Sequence, residues 1–184
     1  TVSAYEDYAR FCFETYGDLV DQWITFNEPI VPVEFGYFYD AHYPHKLDAE
    51  AAVKVAYHTQ LASSRAVKAC HELLPDSKIG IVLNLTPAYP RSQHPADVKA
   101  ASIADLFQAQ SFLDPSVLGT YPQELVEILH EYGLLPDTTE EELELIRDNT
   151  VDFLGVNYYQ PLRVMAPRFA KHPESPLLPE HFYE

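Results

Sequence analysis

Three short apolar runs alternate with longer amphipathic segments along the chain. The runs cover residues 23–26, 78–84 and 151–158, and each is rich in residues that favour strands. The second run is almost continuously apolar, which is typical of a strand covered on both faces, as in parallel sheets. Polar residues follow each run, so the pattern predicts three strands that end in polar positions.

Helix signals occupy the segments before and between the first two runs. Ser3 and Glu6 have the spacing of a capping box, and apolar residues recur behind them at helical spacing as far as Gly17. Asp48 predicts the start of a second amphipathic helix, which Pro75 closes. We therefore expect a helix on either side of the first strand.

The second half of the chain contains three further helix signals. Apolar periodicity predicts helices over about residues 96–112 and 123–132. A short acidic helix follows Thr139, whose hydroxyl has capping-box spacing to Glu142. By contrast, residues 30–47 are rich in aromatic residues, contain two prolines and show no period, which predicts a long loop.

The order of these elements predicts an α/β protein with parallel strands. The pattern alone allows a small doubly wound sheet or a segment of a (β/α)8 barrel. In both architectures the chemistry gathers at the carboxyl ends of the strands. Those ends carry five polar residues, which are the candidate site: Asn27, Glu28, Asn84, Asn157 and Tyr159.

Composition and charge narrow the classes of partner. The chain has 184 residues, of which 47% are hydrophobic and 13% aromatic, so it has the composition of a packed globular protein. Its formal net charge of −16 disfavours nucleic acid and anionic membranes as partners. Cys12 and Cys70 lie far apart and outside any CxxC motif, which indicates reduced thiols and a cytoplasmic location.

Two motifs give the sequence a resemblance to a known family. The stretch WITFNEP at residues 23–29 resembles the acid/base motif of family 1 glycoside hydrolases. KIG at residues 78–80 is similar to the start of that family's fifth strand, and DFLGVNYY at residues 152–159 to its sixth. The general likeness is to the bacterial 6-phospho-β-glucosidase branch of the family. It covers nearly the whole chain, in the family's order.

The resemblance implies a partial (β/α)8 TIM barrel. Residues 1–184 are then the central part of a single glycosidase domain, roughly the units around strands 4 to 6, with residues 160–184 a loop. The remaining barrel strands of the parent chain would be its structural partners. The family's nucleophile motif, a TENG-like stretch, does not occur in the sequence. We therefore expect this segment alone to be inactive.

The resemblance also implies a reaction and a role for each candidate residue. The reaction is retaining hydrolysis of β-glucosides, with 6-phospho-β-glucosides expected and unphosphorylated β-glucosides as the alternative. Glu28 would be the acid/base, and Asn27 would bind the sugar 2-hydroxyl. Tyr159 would position the nucleophile, Asn157 would line the same pocket, and Asn84 would lie near the leaving group.

Other polar residues receive simpler interpretations. Glu34 lies close to Glu28 in sequence, but we expect it to be solvated. His42 and His45 have the spacing of a metal pair without a third ligand in register, so no metal and no cofactor are expected. A different class stays open: a non-catalytic sugar-binding protein with the same strand ends.

Overall fold

Helices and parallel strands make up this computed structural model, which describes residues 1–166. The described helices are α1 (Val2–Tyr16), α2 (Ile30–Tyr37), α3 (Ala49–Leu73), α4 (Pro95–Asp105), α5 (Ser111–Val117), α6 (Gln123–Glu131) and α7 (Glu140–Asp148). The described strands are β1 (Gln22–Asn27), β2 (Lys78–Asn84), β3 (Ala88–Pro90), β4 (Phe153–Asn157) and β5 (Leu162–Val164). All three predicted strands are confirmed. Strand β2 has the predicted bounds, and β1 and β4 differ from theirs by one or two residues at their ends.

The main sheet is parallel and has the order β1-β2-β4. Two glycines lie opposite large side chains on the neighbouring strand. Gly80 of β2 pairs with Phe153 of β4, and Gly155 of β4 pairs with Val82 of β2. A Cβ atom on Gly80 would lie 2.5 Å from Cε2 of Phe153, and one on Gly155 would lie 2.7 Å from Cγ2 of Val82. Each glycine therefore makes room for the large side chain opposite it, which favours this register.

Helices α1 and α3 supply the core around β1 and β2. Phe13 of α1 meets Trp23 of β1 edge to face, with ring centroids 5.0 Å apart. Ile79 and Ile81 of β2 are fully buried. Ile24 and Val156, on the two outer strands, are each 53% exposed. The sheet is thus well covered at its centre and incompletely covered on its outer strands.

The N-terminal residues of helices α1, α3 and α7 show which capping predictions are correct. Asp48 caps α3 by accepting a hydrogen bond from Ala51 N at 2.9 Å, and Thr139 forms the predicted capping box of α7. The prediction for Ser3 is wrong. Thr1 caps α1 instead, with its hydroxyl accepting from Ala4 N at 3.3 Å. Helix α1 consequently begins two residues earlier than the capping-box pattern indicated.

Two expected loops contain regular structure. Residues 30–47 include helix α2, whose apolar residues face several partners and leave no one-sided period to detect. Strands β3 and β5 form a second, two-stranded parallel sheet. Strand β5 falls within residues 160–184, which were expected to be loop throughout, and residues 167–184 lie outside the described part of the chain.

The predicted helix at 96–112 is a longer helical run with an interruption. Helix α4 leads into a π-helical turn over Leu106–Gln110, and α5 continues directly from that turn. Such turns insert an extra residue into a helix and occur often at functional sites.

None of the helices within residues 1–166 is long and apolar enough to cross a membrane.

Candidate active site

The carboxyl ends of β1 and β4 bring four of the five candidate residues together. Asn27 is the last residue of β1, and Glu28 follows it directly. Asn157 is the last residue of β4, and Tyr159 lies two positions beyond it. Because the strands run parallel on either side of β2, these ends meet at one edge of the sheet. Hydrogen bonds join all four side chains there.

One oxygen of Glu28 accepts two hydrogen bonds from neutral donors. Asn157 Nδ2 donates to Glu28 Oε1 at 2.8 Å, and the Tyr159 hydroxyl donates to the same oxygen at 2.5 Å. Asn157 Nδ2 also donates to Asn27 Oδ1 at 3.1 Å. The amide of Asn157 therefore fixes the carboxylate and the neighbouring amide relative to each other.

The backbone at Glu28 has a conformation that few residues adopt. Its φ of 51° lies in the left-handed region, which costs a residue other than glycine about 1–3 kcal/mol. Glu28 N donates to Val82 O of β2 at 2.8 Å, and Glu28 O accepts from Val31 N of α2 at 3.0 Å. The pairing of β1 with β2 is irregular between Ile24 and Asn27, just before this turn. The strand and the helix together hold the strained turn.

Residues of α1 and α3 support the strand that carries Glu28. The Tyr5 hydroxyl donates to the carbonyl oxygen of Thr25, and the Tyr5 ring stacks on Phe26 at 4.5 Å between centroids. The Thr25 and Ser63 hydroxyl oxygens lie 2.7 Å apart and share a hydrogen bond. Sequence reasoning missed Tyr5 and Ser63 in this role. Tyr5 and Ser63 lie 20 and 38 positions away from Thr25, so no short-range sequence pattern connects them to it.

The charge at the site comes from Glu28 itself. Within residues 1–166, no ion pair involves this carboxylate. The hydrogen bond that Tyr159 donates to Glu28 raises the pKa of the tyrosine hydroxyl above its ordinary value, and partial loss of water and the Glu28 charge add to this. Tyr159 thus stays protonated and acts as a donor. Its ring is 67% exposed, which leaves the group open to solvent or a ligand.

Asn84 occupies a neighbouring position without joining the cluster. It ends β2 and pairs in register with Asn157 of β4. Its Oδ1 atom is buried and has no hydrogen-bond partner in the described part of the chain. The structure therefore places Asn84 beside the site, as expected from its position at a strand end, with its acceptor unsatisfied.

Glu34 differs from its sequence interpretation. It lies on α2 with only 9% of its surface exposed, and its carboxylate accepts a hydrogen bond from Gln108 of the π-helical turn. The expectation that Glu34 is solvated is wrong. Nothing in the local sequence indicates a partner so distant along the chain.

The histidine pair does not converge on a third ligand. His45 Nδ1 lies 3.0 Å from Asp40 Oδ1, and His42 packs its ring against Phe35. No group of three or more histidine, cysteine or carboxylate side chains with metal-site geometry occurs among residues 1–166. The described residues therefore supply no donor set for a metal ion.

The sequence of this chain matches the model of a known protein family. The sequence model described as glycosyl hydrolase family 1 matches residues 1–175. The chain belongs to glycosyl hydrolase family 1. The match covers all four residues of the hydrogen-bonded cluster and every described element.

Curated relatives in this family carry glucosidase names. The chain is 58% identical over 184 residues to the 6-phospho-beta-glucosidase GmuD of Bacillus subtilis (strain 168), covering 100% of this chain and 40% of that protein. It is 37% identical over 164 residues to a beta-glucosidase of an Agrobacterium species, covering 89% of this chain and 35% of that protein. The chain thus spans two fifths or less of these relatives' lengths.

Solved structures of family 1 proteins share the fold. The virulence factor SghA of Agrobacterium tumefaciens superposes with a TM-score of 0.84 at 34% identity, covering 94% of this chain and 38% of that one. The family 1 β-glucosidase of Thermotoga maritima gives a TM-score of 0.82 at 34% identity, covering 92% and 37%. The fold is therefore a partial (β/α)8 barrel rather than a doubly wound sheet.

Proposed function

We propose that this chain supplies the acid/base part of a retaining β-glycosidase active site, with Glu28 as the acid/base. The observation that carries the proposal is the cluster at the strand ends. A carboxylate on a strained turn accepts hydrogen bonds only from uncharged side chains among the described residues. These donors fix the position and orientation of the carboxylate without placing a fixed positive charge against it.

The proposed reaction is a double displacement. In the first step Glu28 transfers its proton to the glycosidic oxygen as the bond to the anomeric carbon breaks and a second carboxylate attacks that carbon. In the second step Glu28 takes a proton from water, and the resulting hydroxide displaces the second carboxylate. The attacking carboxylate would come from the barrel strands beyond this chain. We accordingly expect the 184-residue chain alone to be inactive.

The neighbouring side chains have distinct proposed roles. Asn27 uses its Oδ1 to accept from Asn157, which leaves its Nδ2 as the atom that would donate to a sugar hydroxyl. Asn157 and Tyr159 would fix the Glu28 carboxylate, and Tyr159 would also reach the nucleophile when that group is present. Asn84, at the end of β2, would lie near the leaving group.

We propose 6-phospho-β-glucosides as the substrates. Support comes from the 58% identity to a protein named 6-phospho-beta-glucosidase, against 37% to one named beta-glucosidase. The net charge of −16 works against an anionic substrate, so a local cationic pocket would have to outweigh a field that salt screens. That pocket would lie in the remaining part of the barrel.

The proposed location of this reaction is the cytoplasm. Cys12 and Cys70 are both free thiols in the structure. Burial, and to a smaller extent the charge of Asp152, raises the pKa of the Cys70 thiol to about 11, which keeps it unreactive. Reduced, buried cysteines are usual in a reducing compartment.

The test of the acid/base role is Glu28→Gln in a protein that carries this chain and the remaining barrel strands. We expect kcat/KM to fall about 10²–10⁴-fold on alkyl glucosides, because their leaving groups need a proton. Activated aryl glucosides should lose much less. Glu50→Gln, at an exposed position on α3, is the matched control and should change neither rate. Equal losses on both substrate types would remove Glu28 from the acid role.

The substrate proposal has its own test in the same protein. We expect kcat/KM on an aryl β-glucoside carrying a 6-phosphate to exceed that on the unphosphorylated glucoside by at least about tenfold, which corresponds to 1.4 kcal/mol of binding to the transition state. A preference for the unphosphorylated glucoside would contradict the phosphate assignment and leave the Glu28 role intact. Binding of sugar without turnover of either substrate would favour the non-catalytic class.

A further inference from the structure

Strand β1 carries one extra residue just before the candidate acid/base. Its pairing with β2 is regular as far as Ile24, which lies opposite Gly80, and it resumes at Asn27, which lies opposite Val82. Between these two pairs β1 advances by three residues while β2 advances by two. This is the arrangement of a β-bulge, a feature that occurs often beside active sites, where it changes the direction of a side chain.

The extra residue determines which side of the sheet Asn27 faces. Side chains alternate between the two sides of a strand, so a shift of one residue moves every later side chain to the opposite side. Without the bulge, Phe26 would lie opposite Val82, and Asn27 would point toward helices α1 and α3. With it, Asn27 lies on the side of Val82 and accepts the hydrogen bond from Asn157 at 3.1 Å. The hydrogen-bonded cluster therefore depends on the bulge.

Helices α1 and α3 hold both residues inside the bulge. Phe26 stacks on the ring of Tyr5 of α1, with centroids 4.5 Å apart and planes at 18°. The Tyr5 hydroxyl donates to the carbonyl oxygen of Thr25. The Thr25 hydroxyl donates to Gly80 O at 3.3 Å, and its oxygen lies 2.7 Å from the Ser63 hydroxyl oxygen of α3. Tyr5 thus contacts one residue of the bulge with its ring and the other with its hydroxyl.

The Tyr5 hydroxyl keeps its proton at neutral pH. Burial raises its pKa to about 12, and the neighbouring Tyr8 and Cys12 add to this. The hydroxyl is therefore a permanent donor to the backbone of the bulge. Its contribution to the site is one of position and involves no transfer of its proton.

We propose that Tyr5 is a positioning residue for the acid/base, because it holds the bulge of β1 in the form that places Asn27 and Glu28 at the site. The proposal rests on the proposed function, since it assigns to Tyr5 an effect on proton transfer by Glu28. Tyr5 acts through the backbone of Thr25, from the side of the strand that faces the helices. A displacement of about 1 Å at a reacting group can lower a rate about 10²-fold, so one hydrogen bond behind the strand has a measurable effect on the rate.

The test is Tyr5→Phe in a protein that carries this chain and the remaining barrel strands. Phenylalanine keeps the stack on Phe26 and removes the hydrogen bond to Thr25. We expect kcat/KM to fall about tenfold on alkyl glucosides and less than about twofold on activated aryl glucosides, because activated aryl groups leave without a proton. The loss on alkyl glucosides should lie in kcat, with KM nearly unchanged.

The matched control is Tyr57→Phe. It removes a different tyrosine hydroxyl, which donates from α3 to Glu142 Oε2 of α7 at 2.9 Å. Each variant loses one hydrogen bond, so both should lower the melting temperature by a similar amount. Only Tyr5→Phe should distinguish the two substrate types. Equal losses of Tyr5→Phe on both types, or a loss no larger than that of Tyr57→Phe, would overturn the proposal.

Hydrogen exchange tests the same contact without enzyme activity. The amides of residues 25–27 should exchange faster in Tyr5→Phe and at an unchanged rate in Tyr57→Phe. Unchanged exchange of these amides in Tyr5→Phe would show that its hydroxyl does not hold the bulge, and would overturn the proposal.

Glu28→Gln separates this proposal from the proposed function. If Glu28→Gln slows alkyl glucosides more than aryl ones and Tyr5→Phe does not, only the role of Tyr5 is overturned. If neither variant distinguishes the two substrate types, the acid/base role of Glu28 is overturned, and the role of Tyr5 with it.

Discussion

Two carboxylates lie at opposite ends of the same parallel sheet, and their partners differ in kind. Glu28 follows β1 at the carboxyl edge and accepts hydrogen bonds from the uncharged Asn157 and Tyr159. Asp152 precedes β4 at the amino edge. Its Oδ2 accepts from Ile79 N at 2.8 Å and lies 3.0 Å from the His71 ring.

The charge around Asp152 is the main difference. Lys78 Nζ lies 3.6 Å from its Oδ1, and the His71 ring adds a positive charge when it is protonated. Loss of water around the Asp152 carboxyl raises its pKa, but the hydrogen bonds from His71 and Ile79 N and the charges of His71 and Lys78 outweigh this. The net effect lowers the pKa below its ordinary value of 3.8. Asp152 is therefore held as an anion.

The comparison shows two ways in which one sheet holds a carboxylate. A carboxylate with cationic partners contributes to the stability of the fold because the folded state interacts favourably with its charged form. A carboxylate with uncharged donors is held in position by hydrogen bonds without a salt bridge. In barrels of this class the amino edge generally serves stability and the carboxyl edge function.

After replacement of Glu28 itself, the largest expected effect comes from reversing the chemistry of its partner Asn157. Asn157→Asp keeps the shape of the side chain but places a second carboxylate against Glu28 Oε1. We expect kcat/KM to fall about 100-fold in a protein with the complete barrel, because the bridging donor is replaced by a like charge. Steady-state kinetics measures this. Asn157→Ala should cost less than Asn157→Asp, and equal losses would contradict the repulsion.

A smaller effect is expected at the other carboxylate. Asp152→Asn should lower the free energy of unfolding by about 1 kcal/mol at pH 7 without changing kcat/KM, because it removes a charge that His71 and Lys78 stabilise. The folded pKa of Asp152 is depressed, so its contribution is complete above about pH 4 and is lost as the pH falls through the folded value. Urea unfolding at pH 7 and near pH 3 tests this. A difference between wild type and variant that does not shrink at low pH would contradict it.

The smallest effect concerns the ionisation of Tyr159. The Glu28 carboxylate raises its pKa, so Glu28→Gln should return the Tyr159 pKa toward its ordinary value of 10.0. Carbon-13 NMR of labelled tyrosines, titrated between pH 9 and 12, measures the shift without enzyme activity. The chain has 13 tyrosines, so Tyr159→Phe is needed to assign the signal. An unchanged titration in Glu28→Gln would show that the hydrogen bond does not control this hydroxyl.

Much of the fold could be predicted because its signals are local. Strand β2 was predicted with its observed bounds, and Asp48 and Thr139 cap their helices as the sequence indicates. Helix α2 was missed because residues on several of its faces are buried, which erases the one-sided period. Strands β3 and β5 were missed because three residues are too few for an alternating pattern to be recognised.

The residues of the candidate site could be predicted better than the contacts between them. The position of each strand end, together with the family resemblance, indicated all four residues of the hydrogen-bonded cluster. Asn157 and Tyr159 donate to the same oxygen of Glu28, and Glu28 lies in a left-handed turn. Both features depend on the register of β1 against β2, which cannot be predicted from a local sequence pattern. The burial of Glu34 depends on Gln108, 74 positions away, and local sequence reasoning has no access to such a pair.

The π-helical turn at Leu106–Gln110 also makes the chain sensitive to changes in length. Each residue of an ordinary helix turns the chain by about 100°, so deletion of Ala109 would convert the run into a regular helix and rotate α5 against α4 by roughly that amount. Either Gln108 or the residues of α5 would then leave their partners. We expect the melting temperature of that variant to drop sharply. We therefore expect this segment to accept replacement of its residues more readily than their deletion.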